Sequence, residues 1–264
     1  MTTNRILIIG VGNSGTKLLG NLIHELMILH GMPIYAYEPL YWSGTEGEKN
    51  LVLNKAGIQE HTSFPLLPDA SSLSWPWMDR FIENLCGLAK FIRAGSRVRL
   101  FVDKPIKIVW IVRELYSFLA SMQKNFPRCG STAGWHHRPG EYDDFERIRS
   151  IFPEFNLLSG EEWRVEVEAA WWYLHNSEMR NQQNRENVLR VRYEDLCSNA
   201  VSQLKRVCEF LAIPFTTSTT LSGVHPVPSR MVRLSGHNVR IIERIAGDLN
   251  RELYADEELN QFCG

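Results

Sequence analysis

The sequence predicts an α/β fold, with a central parallel sheet flanked by helices. Three observations carry that expectation. The apolar run "ILII" leads into a glycine-rich turn and then into a helix with one apolar face. Two later apolar runs, "IKIVWIVR" and "NVLRVRY", each stand ahead of a further helical segment. No internal repeat and no linker-like break interrupts the 264 residues, so residues 1–264 are read as one domain.

The elements follow in order. Ile6 to Ile9 are continuously apolar, as a strand buried on both faces requires. Across residues 15–30, Leu18, Leu19, Leu22, Ile23, Leu26 and Met27 fall on one helical face. "GMPIYAYEP" predicts a second strand ended by Pro39, which completes a βαβ unit. Residues 41–75 show no periodicity and are read as an irregular insertion of the kind that covers or selects a substrate. "WMDRFIENLCGLAKFIRAG" predicts a helix closed by Gly95. "IKIVWIVR" is the next strand and "ELYSFLASMQKNF" the next helix. Residues 127–145 read as a polar and aromatic loop, and "GEEWRVEVEAAWWYLHNSEMRNQQNR" as a long helix. In that helix Trp171, Trp172 and Leu174 are read as core rather than as a binding surface. "NVLRVRYEDL" is a strand running into a turn, "AVSQLKRVCEFLAI" an amphipathic helix, and residues 237–253 a final helix.

Composition narrows the function classes. A net charge of −1 supplies no overall attraction to nucleic acid or to an anionic membrane. Five cysteines without metal-type spacing read as reduced thiols, which suits a cytoplasmic chain, and no Cys/His/Asp cluster proposes a metal. No apolar run reaches the roughly 18 residues of a membrane span.

The chemistry centres on "GVGNSGTKLLG". Gly10, Gly12 and Gly15 spell G-x-G-x-x-G, and the same residues followed by Thr16-Lys17 nearly spell a Walker A loop with its last two letters reversed. Either way, a glycine turn brings backbone N–H groups close to an anion at a helix N-terminus. Glu38 ends the second strand near the roughly 20-residue spacing of a ribose-binding acid, which favours a dinucleotide. Lys17 is then an unneeded charge, and nothing downstream suggests hydride transfer. The Walker reading needs the lysine before the hydroxyl residue, and here the order is wrong.

Two later segments bear on the choice. "IVWIVRELYSFLASM" sets Arg113 at a strand end and Ser121 two helical turns on, a fork and a hydroxyl for one phosphate. "VLRVRYEDL…LKRVCEFLAIPF" carries a strand into R-Y-E-D-L and then a helix ending in F-L. Together with S-G-T in the glycine loop, the order and spacing resemble the sulfotransferase family that uses 3′-phosphoadenosine 5′-phosphosulfate (PAPS). The resemblance covers residues 5–215, and "YEPLYW" is weakly similar to the carbohydrate branch.

The resemblance implies a P-loop-NTPase-like sulfotransferase fold. It implies sulfuryl transfer from PAPS to a hydroxyl or amine of a carbohydrate or small molecule, with 3′-phosphoadenosine 5′-phosphate (PAP) as product and no metal. Gly12, Asn13, Ser14, Gly15, Thr16, Lys17 and Leu18 would hold the phosphosulfate. Arg113 and Ser121 would hold the 3′-phosphate, Tyr193 would lie near adenine, and Arg230 could complete the anion site. Asn13 stands where the family has Lys or Arg, so Lys17 is the candidate for the missing catalytic charge; its plainer reading is a solvent-facing helix lysine. Glu38, at a strand end beside the loop, is the candidate general base, and a neighbouring anionic donor would raise its pKa. His61, His136 and His137 are rival bases, and Lys104 in "VDKP" resembles a lysine of some members, though too close to the next strand for the usual layout. The competing classes are an NAD(P)-dependent oxidoreductase and a nucleotide-binding module without catalysis.

Overall fold

The structure, a computed structural model, describes residues 5–31, 35–37, 87–91, 94–125, 141–154, 165–216, 224 and 234–255. β1 (Arg5–Ile9) leads through the glycine turn into α1 (Thr16–Leu29). β2 (Tyr35–Tyr37) and β3 (Gly87–Phe91) follow, then a short 3-10 helix (Gly95–Leu100) and β4 (Lys107–Val112). α2 (Leu115–Asn125), α3 (Glu141–Ile151) and α4 (Val165–Arg180) precede β5 (Val188–Arg192). α5 (Tyr193–Ser198) and α6 (Ala200–Leu211) come next. Last are α7 (Gly236–Ile242) and α8 (Asp248–Tyr254), joined by one π-helical turn at Glu243–Gly247.

All strand pairs are parallel, in the order β2-β3-β1-β4-β5. Strand alternation divides the core in two. Ile6, Ile8, Leu88, Val109, Ile111 and Val191 face α1 and α6. Leu7, Ile9, Ala89, Phe91, Ile108, Trp110 and Val112 face α2, α4 and the C-terminal helices. Apolar side chains on both faces of each central strand explain why these runs read as continuous rather than alternating. As expected, Trp171, Trp172 and Leu174 are core, at most 4 % exposed.

Three expectations need correction, the briefest being the turn expected after β5, where α5 begins at Tyr193. The helix expected to end at Gly95 contains β3 instead, and Gly95 opens a 3-10 helix. Gly87 has φ +106°, which no helix tolerates, and periodicity cannot separate a short apolar strand from a buried helical turn. The loop expected over 127–145 gives way to α3 from Glu141. Asp144 of α3 is 1 % exposed; its Oδ2 accepts from Ser96 Oγ (3.0 Å) and Arg97 Nη1 (2.8 Å). His175 Nδ1 of α4 accepts from the Ser96 amide at 3.0 Å. These bonds tie the 3-10 helix to α3 and α4, and burial pushes the Asp144 carboxyl up.

The sheet order also bears on the glycine loop. In the classic dinucleotide fold, the strand after the first helix pairs directly with the first strand. Here β3 lies between β1 and β2, so the end of β2 is about 10 Å from β1 at ordinary strand spacing. The strand order is therefore not that of the classic dinucleotide fold.

Candidate anion-binding site

The carboxyl ends of β1, β4 and β5 are neighbours, and each carries one part of the site. β1 carries the glycine loop. Asn13 (φ +63°) and Gly15 (φ +90°) are left-handed, and the Ser14 amide donates to the Val11 carbonyl at 3.0 Å. Asparagine is among the few side chains that tolerate that backbone region, which is a local reason for Asn13. Gly10 and Gly15 are glycines because of close approach. A Cβ on Gly10 would stand 2.7 Å from the Ile111 carbonyl oxygen, and one on Gly15 2.3 Å from Cδ2 of Tyr193. The first turn of α1 contains no acidic side chain, so its positive end is uncompensated there.

β4 carries Arg113 just beyond its last residue. Arg113 is 7 % exposed. Its Nη1 donates to the Asn13 carbonyl at 2.9 Å, and its guanidinium lies 4.5 Å from the centroid of the Tyr193 ring. Its own carbonyl accepts from Trp172 Nε1 at 2.9 Å, so α4 holds the strand end from below. Tyr193, first residue after β5, therefore sits between Gly15 and Arg113. Its hydroxyl is hydrogen-bonded to the Cys197 thiol, and burial raises the pKa of both groups.

Loop, arginine and tyrosine thus form one contact set from segments about 100 and 180 residues apart in sequence. Two of its polar atoms stand out. Ser14, 1 % exposed, has its Oγ buried without a hydrogen-bond partner among the described residues, and so does Arg113 Nε. Buried polar groups are ordinarily satisfied, and orphaned donors beside a helix N-terminus fit an anion with several acceptor oxygens.

The remaining expected residues are placed as follows. Thr16 is buried at the start of α1; Lys17 is exposed and Leu18 half-buried. Asn13 Nδ2 donates to Met122 Sδ at 2.9 Å, which brings α2 to the loop beside half-buried Ser121. Gly12 is half-buried in the turn. Glu38, Arg230, His61, His136 and His137 lie outside the described residues. Lys104 lies at the other end of the sheet. It precedes β4, whereas Arg113 follows it, and it lines a groove of about 270 Å³ with Arg5 and Lys107. Among the described residues no group of three or more His, Cys, Asp or Glu could hold a metal, and no helix is long and apolar enough to cross a membrane.

Three residues near the site carry no assignment in the sequence. Lys90, 1 % exposed in β3, lies in the segment expected to be helical, pairs in register with Ile8 and stands one residue before Phe91, whose carbonyl accepts from the Gly10 amide at 3.3 Å. Glu194 was in view within "RYEDL", yet only its neighbour Tyr193 was assigned. Trp172 gave no signal, because a core tryptophan and one whose indole N–H supports a site residue read alike.

Comparison with known proteins identifies the family. The sulfotransferase-domain family matches residues 3–228. The rat protein "Sulfotransferase 1A1" is 27 % identical over 124 residues, 47 % of this chain and 37 % of that protein. The chain therefore matches less than half of that relative's length. Similar solved structures include sulfotransferase STF9 from Mycobacterium avium (13 % identity, 94 % of this chain and 76 % of that one, TM-score 0.47). The sulfotransferase domain of the Synechococcus PCC 7002 olefin synthase is 14 % identical and covers 92 % of this chain and 94 % of its own, with TM-score 0.43. Because that family model spans most of the chain's length, the chain belongs to the sulfotransferase-domain family.

Proposed function

We propose that the chain transfers a sulfuryl group from PAPS to a hydroxyl or amine of a carbohydrate or small-molecule acceptor. The observation that carries this reading is the joined contact set of loop, Arg113 and Tyr193. Its buried Ser14 Oγ and Arg113 Nε have no hydrogen-bond partner among the described residues.

When bound, the donor supplies the activated sulfuryl group and an adenosine bisphosphate leaving group. The protein's work is then positioning and charge stabilisation. Backbone N–H groups of residues 12, 13 and 15–17, at the N-terminal end of α1, donate to the phosphosulfate oxygens, while the Ser14 amide is held by the Val11 carbonyl. Ser14 Oγ adds one donor, and Lys17, exposed in the first turn of α1, is assigned the charge that Asn13 does not carry. Asn13 instead accepts from Arg113 and reaches Met122, so its role is to shape the loop. Arg113, fixed on three sides by Asn13, Tyr193 and Trp172, offers its remaining donors with Ser121 to the 3′-phosphate. Arg230 is assigned to the same anion and Tyr193 to the adenine side, both by family resemblance. Glu38, following β2, is assigned as the base that takes the acceptor's proton. The work is assigned to a chain acting in the cytoplasm.

Thermal stability tests the donor reading. A saturating bisphosphate at about 100 times its Kd stabilises the native state by about 2.7 kcal/mol, an upward shift of about 5–10 °C at this size. PAP is expected to give that shift, and NAD and ATP much smaller ones. A clear shift with NAD and none with PAP would sink the proposal in favour of the oxidoreductase.

Glu38→Gln tests the base. It is expected to lower kcat about 100-fold or more while leaving the calorimetric affinity for PAP unchanged. Near-parental turnover would move the base to His61, His136 or His137. A parental protein that binds PAP but never transfers label would favour the non-catalytic module.

A further inference from the structure

The segment leaving β4 is held from an unexpected direction. Arg113 is followed by Glu114 and Leu115, whose amides are among the first donors of α2 and have no partner within that helix. Side chains from other elements receive both. The Glu114 amide donates to Glu194 Oε1 at 3.1 Å, and the Leu115 amide to Asn250 Oδ1 at 3.0 Å.

The two acceptors are themselves fastened to the C-terminal helix and to each other's neighbours. Tyr254 Oη donates to Glu194 Oε2 at 2.8 Å, and Asn250 Nδ2 donates to Glu114 Oε1 at 3.2 Å. Glu114 in turn accepts from the amides of Tyr116 (3.0 Å) and Ser117 (2.7 Å), closing the first turn of α2. From the β5 side, Arg192 Nη2 donates to the Leu253 carbonyl at 2.9 Å, with its guanidinium 4.8 Å from the centroid of the Tyr254 ring. Asn250 and Tyr254 thus meet the strand ends that bear Arg113 and Tyr193, one shell away from the loop. Both lie beyond the stretch matched by the family, which ends at residue 228.

We propose that Asn250 and Tyr254 of α8 are positioning residues for Arg113, acting through Glu114 and Glu194, and that they set the preference for a donor carrying a 3′-phosphate. The proposal rests on the donor reading above. Its physical ground is that a guanidinium recognises a phosphate only within a fraction of an ångström and a few tens of degrees. Because β4 ends at Val112, the backbone that aims Arg113 is locked beyond the sheet by one hydrogen bond to Asn250 of α8 and one to Glu194 of α5, which Tyr254 of α8 holds in turn. Trp172 fixes the Arg113 carbonyl; the α8 network fixes the amides that follow.

The test compares two ligands on the full chain. PAP and adenosine 5′-phosphate differ only in the 3′-phosphate, so the ratio of their calorimetric Kd values reads that contact alone. Tyr254→Phe and Asn250→Ala are each expected to raise the Kd for PAP about tenfold relative to that for adenosine 5′-phosphate, whose affinity stays within twofold of the parent. Equal weakening of both ligands, or no weakening in either variant, would overturn the positioning role and leave a plain helix dock. A parental chain that binds both ligands equally would overturn the donor reading itself, and this proposal with it. Tyr254→Phe removes a single oxygen, so it carries the test if Asn250→Ala fails to fold.

Discussion

Arg113→Lys is expected to weaken PAP binding by roughly 10- to 100-fold, although it keeps the charge. A lysine has no fork. It cannot hold the Asn13 carbonyl through one nitrogen while turning two others toward a phosphate, and charge-assisted hydrogen bonds of that kind contribute about 1.5–3 kcal/mol. The planar guanidinium also stacks on Tyr193, and the ammonium loses that contact. Calorimetric titration with PAP measures the effect, and the unliganded thermal midpoint separates it from stability. An affinity within threefold of the parent would remove Arg113 from the anchor.

Gly15→Ala is expected to do damage of two kinds at once. At φ +90° an L side chain costs about 1–2 kcal/mol. The new Cβ would also stand 2.3 Å and 2.7 Å from two carbons of the Tyr193 ring, where overpacking costs about 1–3 kcal/mol more. The ring cannot retreat freely, because Arg113 lies against it. We therefore expect a fall of several degrees in thermal midpoint together with loss of measurable PAP binding. Gly31→Ala is the matched control. Its φ is +72°, yet nothing lies within 4 Å of the added carbon, so it should cost the strain alone and leave PAP affinity unchanged. Equal effects at the two positions would show that backbone strain, and not the Tyr193 contact, explains Gly15.

Several parts of this molecule were legible in its sequence for local reasons. β1, α1 and β4 announce themselves because a buried parallel strand is apolar throughout and a docked helix is apolar on one face. The glycine loop is visible because left-handed backbone at Gly15 leaves almost no other residue. Arg113 and Tyr193 were found through their neighbours, a strand end and "RYEDL", not through any property of their own.

β3 escaped because "GLAKF" has no period to distinguish it within a longer apolar stretch. Its strand state comes from pairing with β1 and β2, which no window of sequence contains. The departure at Lys104 has a topological reason: the direction of β4 sends Arg113 to one end of the sheet and Lys104 to the other.

The α/β class, the parallel sheet, the glycine loop and the family can therefore be read from the sequence. Each rests on short-range rules of period, turn chemistry and spacing. Long-range packing sets β3 between β1 and β2, closes Tyr193 under Gly15 and brings Arg113 onto the loop's own carbonyl. It alone brought Asn250 and Tyr254 to the residues after Arg113, 135 positions away in the case of Asn250 and Leu115. Those contacts depend on which elements pack together, and packing is a property of the whole chain.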